Sequence, residues 1–483
     1  ADGRLATADL VAFAAENFAV IQPQAGPLLD RLVSAAGGAS LAALRELFWL
    51  DLGSPAELDE VLAALEAHAL LERDPFQQRV VMHPIVRGYL EQNVVMLGEE
   101  WERRHAAYYL SLLEQFQHLP LERWPQIDPD WGNIVKGADW CAARLERIWQ
   151  RPPAEIIADP AVDRKAPALP DEAQGYLDDL RLARSYALGM AHYAFWRHPP
   201  GVLRWLAAGC VAALAIADIR NYAWLEMSIG RHHFFTGQVE EAIAWLNRAA
   251  EIFDERDLMA ELAYAFTDLG TSFRVLDRQR QALAYFRAAF ECVAQLGDQP
   301  GLATAYMNLG SAHYGLNEFE RALQHYRKAL RIALRHQNNQ QIASAFNSMG
   351  LAMEGLERFD EAKQAYERAL EIFRRAGDTV GISACYNNLG SVMYAQGDFD
   401  QALMWYELDL RLAEQRGAWT DMAATLHNLG HVALEQGSWE LAYSYFEQSR
   451  ALYAAFDLAD YVQEEEEMLR YIRENAPALA QPA

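Results

Sequence analysis

Beyond residue 220, apolar residues recur at the three- and four-residue spacing of amphipathic helices, and the pattern itself repeats every 40 residues. Glycine stands at 230, 270, 310, 350, 390 and 430, each preceded by an apolar residue. Twelve residues on comes alanine (Ala242, Ala282, Ala322, Ala362, Ala402, Ala442), and four further on a bulky residue (Leu246, Phe286, Tyr326, Tyr366, Tyr406, Phe446). Two apolar stripes flank a short connector such as "AQGDFD", so each period predicts a helix–turn–helix hairpin. Glycine lets the first helix approach its partner, alanine removes bulk at the crossing, and the bulky residue fills the space beside it. Asp409 and Ser449 replace the small Ala found at 249, 289, 329 and 369, which predicts looser packing toward the C-terminal end.

Proline sharpens the division. Fifteen of the 18 prolines fall between Pro23 and Pro200, then only Pro300 interrupts the chain before Pro477 and Pro482, so the second half can be helix upon helix. "RPPAEIIADPAVDRKAPALPDEAQG" (151–175) has little periodicity and reads as an irregular loop. Residues 176–220 read as two more helices, a degenerate first repeat, and 461–476 as a capping helix over the array 221–460.

The N-terminal third follows a different pattern. After a helical lead-in over 1–25, "GPLLDRLVSAAGG", "SLAALRELFWL" and "SPAELDEVLAALEAHALL" read as three short amphipathic helices, the last two capped by Ser40 and Ser54. "LLERDPFQQRVVMHP" then reads as two strands around an Asp-Pro turn. Three helices and a two-stranded wing make 26–97 a winged-helix pattern, and two helical segments over 98–150 form a connector. The fold expected is mainly α: winged helix, helical connector and an α-solenoid.

Charge narrows the function. The chain has 483 residues, 42 basic and 67 acidic, a net charge of −25. Nucleic acid and anionic membranes are repelled by such a field, and acids outnumber bases within the winged-helix segment as well. The longest uncharged apolar run, Trp205–Ala217, has 13 residues against the roughly 20 a membrane helix needs. Cys141, Cys210, Cys292 and Cys385 show no paired spacing, which suits a reducing cytoplasm and predicts no metal site. No Gly-Lys pair occurs, so no Walker A phosphate loop, and no G-x-S-x-G occurs either; no catalytic residue is predicted.

The 40-residue register resembles the tetratricopeptide repeat (TPR) in a long form, six copies across 221–460. With the order of parts before it ("MHPIVRGYL", "RHAAYYL", "WGNI"), nearly the whole chain resembles the C-terminal half of signal-transduction ATPases with numerous domains (STAND). The resemblance implies that His83 contacts the β-phosphate of ADP in a full-length parent. There Pro84 stands where the related immunity proteins have aspartate. ADP, ATP and magnesium are expected only with an upstream NTPase module, a segment of the same parent chain, and this chain is expected to be monomeric.

In this repeat family the first-helix positions −3, +1 and +4 from each glycine line a groove, with −2 beside them. Here those positions carry Arg231, Phe234, Arg274, Asn308, Tyr314, Asn347, Asn387, Asn388, Tyr394, His427, Asn428 and His431. Amides pair with a peptide unit as donor and acceptor, and tyrosines add flat apolar area, so the expected partner is a protein or peptide trigger. A second reading has the asparagines bonding a neighbouring repeat. Two alternatives to the sensor function are a free-standing repeat scaffold and a DNA-binding regulator.

Overall fold

The computed structural model describes residues 28–35, 37–48, 54–68, 70–74, 78–82, 84, 86–88, 98–116, 121–158, 176–197 and 199–476. They fall into two compact units, Ala1–Asp257 and Leu258–Ala483.

The first unit carries a small antiparallel sheet, Ala39–Ser40 (β1), Leu71–Asp74 (β2) and Arg79–Met82 (β3), in the order β1-β3-β2. The β2–β3 hairpin matches the two strands read from the sequence, with Leu71 opposite Met82. The strand β1 is an addition: Ser40 pairs with Arg79 and also caps the turn Leu41–Ala43 by accepting from the Ala43 amide at 3.1 Å. One helix was expected over the following segment; instead Leu44–Phe48 is a π-helical turn. Pro55–Ala67 (α1) starts at Ser54 with a reciprocal capping box to Glu57.

A buried arginine ties this sheet to the helices that follow. Arg79 donates to Asp130 at 2.7 Å and to the Gly38 carbonyl at 3.1 Å, and the same carbonyl accepts from Asn133 at 3.0 Å. Arg87 and Lys136 donate to the Ala35 and Ser34 carbonyls, satisfying acceptors just past the helix at 28–33. Glu99–Phe116 (α2) and Trp131–Trp149 (α3) then pack with Leu177–Arg197 (α5) around the buried Asp179, which accepts from Arg103 at 2.6 Å and Arg144 at 2.8 Å. Pro153–Ala158 (α4), inside the span read as irregular, is helical because Ile156 and Ile157 have a core to bury in; 159–175 lies outside the described residues. Val202–Ala215 (α6), apolar on every side, is buried along nearly its whole length. Ile219–Phe235 (α7) and Val239–Glu255 (α8) close the unit as a hairpin in the repeat register.

The second unit is a run of hairpins. First helices are Met259–Val275 (α9), Gln299–Gly315 (α11), Asn339–Gly355 (α13), Thr379–Ala395 (α15) and Trp419–Glu435 (α17). Second helices are Gln279–Leu296 (α10), Phe319–Arg335 (α12), Phe359–Ala376 (α14), Phe399–Arg416 (α16) and Trp439–Ala455 (α18); Ala459–Asn475 (α19) follows. Each first helix packs on the second helix of its own hairpin, and from α11 onward also on that of the hairpin before.

The register residues explain the packing. A Cβ on Gly270 would stand 2.5 Å from the Phe286 ring, on Gly390 2.6 Å from Tyr406, and on Gly430 2.7 Å from Phe446. The six alanines twelve residues on are all fully buried. Asp409 and Ser449, by contrast, do not loosen the array. Both are buried and bonded: Asp409 accepts from Ser383 and Thr425, and Ser449 donates to the Ala423 carbonyl and to Glu465. Polar bonding replaces the methyl contact of the other repeats.

Candidate binding face of the repeat helices

Three of the first helices of the second unit, α11, α13 and α15, start at side-chain caps, Asp298, Asn338 and Asp378, each accepting from a backbone amide one turn on. Their bulky faces are taken by the second helices, so a mostly half-buried polar face remains. Asn308, Tyr314, Asn347, Asn387, Asn388, Tyr394, His427, Asn428 and His431 are all half-buried there, and Arg274 is exposed. Arg231 and Phe234 lie on α7 of the first unit, half-buried, with Arg231 over the Trp224 ring at 5.8 Å. His83 lies outside the described residues.

Three polar groups on this face are joined between hairpins. Asn388 donates to Asn347 at 3.0 Å, which satisfies the reading in which an asparagine bonds its neighbouring repeat. Ser391 donates to Glu354 at 2.7 Å, and the same carboxylate accepts from the buried Tyr366 at 2.9 Å. At the end of the array His427 meets Glu465 at 2.8 Å and His431 at 3.1 Å. Burial lowers His427, but the bond to Glu465 and the charges of Glu465 and Glu464 outweigh it, and its pKa is raised. Burial and the charge on His427 push His431 the other way.

Between α15 and α17 the face opens into a cleft of about 340 Å³ lined by Val380, Ser383, Ala384, Asn387, Asn388, Asp409, Asp421, Ala424 and Thr425. Asp409 reaches it from α16 and is only 2% exposed. Desolvation raises its pKa, with hydrogen bonds from Ser383, Thr425 and Asn387 acting in the opposite sense and the charge of Asp421 adding to the rise. Asn387 and Asn388 belonged to the expected groove; Asp409, Ser383 and Thr425 did not, although the departure from alanine at 409 was visible in the sequence.

A tetratricopeptide repeat family model matches residues 259–335 and 341–415, and the hairpins form a tetratricopeptide-like solenoid. No curated protein matches in sequence. Among solved structures the chain is similar to a STAND protein with a tetratricopeptide repeat sensor from Pyrococcus horikoshii, 13% identical over 94% of this chain and 67% of that one, with a TM-score of 0.45. It is similar to NprR in complex with its cognate peptide NprX, 15% identical over 63% and 84%, TM-score 0.44. A third is a Rap protein complexed with competence and sporulation factor, 12% identical over 77% and 98%, TM-score 0.45. These are likenesses of fold. No helix among the described residues is long and apolar enough to cross a membrane.

Proposed function

We propose that this chain is the sensor and lock portion of a STAND-type signalling ATPase, in which the repeat helices recognise a protein or peptide trigger. The observation that carries the recognition step is the polar cleft between α15 and α17. It presents two amides, two hydroxyls and two carboxylates within one depression of about 340 Å³, at the lower end of the roughly 300–1,000 Å³ of ligand pockets. An extended peptide offers alternating donors and acceptors that such groups can pair, whereas a small apolar metabolite needs an enclosed apolar pocket.

The regulatory half of the reading rests on the order of parts in the sequence. Helices followed by the β2–β3 hairpin support a winged helix over 26–97. His83, after Met82, is proposed to contact nucleotide held by an NTPase module of the parent. Trigger binding would then favour the state in which that contact is released, which requires the trigger to prefer that state by a few kcal/mol. The chain itself is proposed to be a monomeric, cytoplasmic, non-catalytic part of the switch.

Panning a phage-displayed random-peptide library on the immobilised chain tests the recognition step. Enriched peptides should bind Asn387→Ala/Asn388→Ala at least tenfold more weakly, because truncation leaves peptide groups unpaired at roughly 1–3 kcal/mol. The variant should stay folded, since alanine favours helix and Leu389, Gly390 and Ala402 are untouched. An absence of enriched peptides, or equal binding by the variant, overturns the reading.

A further inference from the structure

Three positions that are alanine in several other repeats turn polar together here. Position 409 is alanine in four other second helices (Ala249, Ala289, Ala329, Ala369) and aspartate here. Position 383 is alanine in every other first helix of the array (Ala223, Ala263, Ala303, Ala343, Ala423) and serine here. Position 425 matches Ala265, Ala305 and Ala345 and is threonine. The fold brings all three together: the Ser383 and Thr425 hydroxyls both donate to Asp409, the latter at 2.8 Å. The next junction has a counterpart, Ser449 bonded to Glu465, but there the carboxylate also meets His427 at 2.8 Å, whereas Asp409 meets only hydroxyls and an amide.

Its chemistry is incomplete. Hydroxyls and the Asn387 amide fill lone pairs of the carboxylate but leave its charge, and no basic side chain pairs with Asp409 among the described residues. Burying a carboxylate is costly unless a cation joins it. The nearby Asp421 already has one, Arg416 at 3.3 Å. Asp409 lines the cleft, and the cleft also holds Val380, an apolar side chain 61% exposed, against which a methylene stem could lie.

We propose that the cleft between α15 and α17 is a subsite for one basic side chain, lysine or arginine, of the bound peptide. This deepens the recognition reading above and rests on it. The cation reaches Asp409 through a charge-assisted hydrogen bond, while Asn387 and Asn388 hold the peptide backbone beside it. Arginine, with its planar fork, can engage Asp409 and a neighbouring amide oxygen together.

The test uses the enriched peptides and synthetic copies in which the basic residue is replaced by norleucine. Peptides selected by the wild-type chain should carry lysine or arginine at one fixed position. Asp409→Asn keeps the shape and an acceptor for the hydroxyls; it should weaken the basic peptide at least tenfold and leave the norleucine copy within twofold. Asp409→Ala, which restores the residue of the other repeats, should do the same. Enriched peptides with no fixed basic position overturn the subsite and leave peptide recognition standing. So does an equal loss for both copies, which makes Asp409 a structural residue of the cleft wall. Failure to enrich any peptide overturns both.

Discussion

At the scale of single residues, the array depends on what cannot be added. Gly390 faces the edge of Tyr406, whose ring is buried, and a methyl there would sit 2.6 Å from it. Gly390→Ala gains helix propensity but forces the ring off its rotamer, and overpacking of this kind costs roughly 1–3 kcal/mol. The expected result is a lower urea midpoint; a variant as stable as wild type would show that α15 and α16 have slack at their crossing. This register was legible because each position has a one-sided requirement, smallest or bulkiest, repeated six times. The role of Asp409 was not. Its departure from alanine stood in the sequence, but Ser383 and Thr425 lie 26 and 16 residues away, and only the fold brings their hydroxyls onto the carboxylate. Without them, a charged residue at a crossing reads as poor packing.

At the scale of elements, the turns explain the spacing of the helices. A residue with left-handed backbone occurs every 20 positions from Ala217 to Asp457: Gly237, Gly297, Gly377, Gly397, Gly417 and Gly437 among them, but also Asp277, Asn317, Gln337 and Glu357. Because non-glycine residues serve at about half of these turns, composition hid a half-period of 20 that the backbone keeps. The strand β1 was hidden for a related reason: two residues carry no alternation, and its pairing with β3 is a tertiary event. The last helix is joined to the array by charge as well as by Leu469 and Ile472. Glu465 is 1% exposed and bonds both His427 and Ser449. The folded His427 pKa lies above its unfolded value, so its contribution is complete below about pH 6.5 and is lost as pH rises through the raised value. His431, with a lowered pKa, contributes in the opposite sense and is lost as pH falls below about 6.5. Glu464 and Glu435 also face the pair. With His431 replaced by alanine to isolate His427, intrinsic-rate-corrected amide protection of Ala459–Asn475 should therefore decline as pH rises above about 6.5, and Glu465→Gln should flatten that decline. Protection independent of pH in the parent of that comparison would leave α19 held by apolar contacts alone.

At the scale of the whole molecule, a chain of net charge −25 that keeps a buried carboxylate in the proposed recognition cleft is suited to a basic partner. Opposite charge speeds encounter, and under the proposed function the first helices supply the fixed polar groups that choose among partners. Under the proposed function, recognition takes place on the first helices of the second unit. Photo-crosslinking tests it most directly: an enriched peptide carrying a photoreactive residue is irradiated on the chain, and the adducts are located by mass spectrometry. Adducts are expected on α13, α15 and α17, concentrated around Val380, Asn387 and Asn388 and competed away by unlabelled peptide. Competable adducts confined to the second helices α14, α16 and α18, or to the first unit, would contradict it.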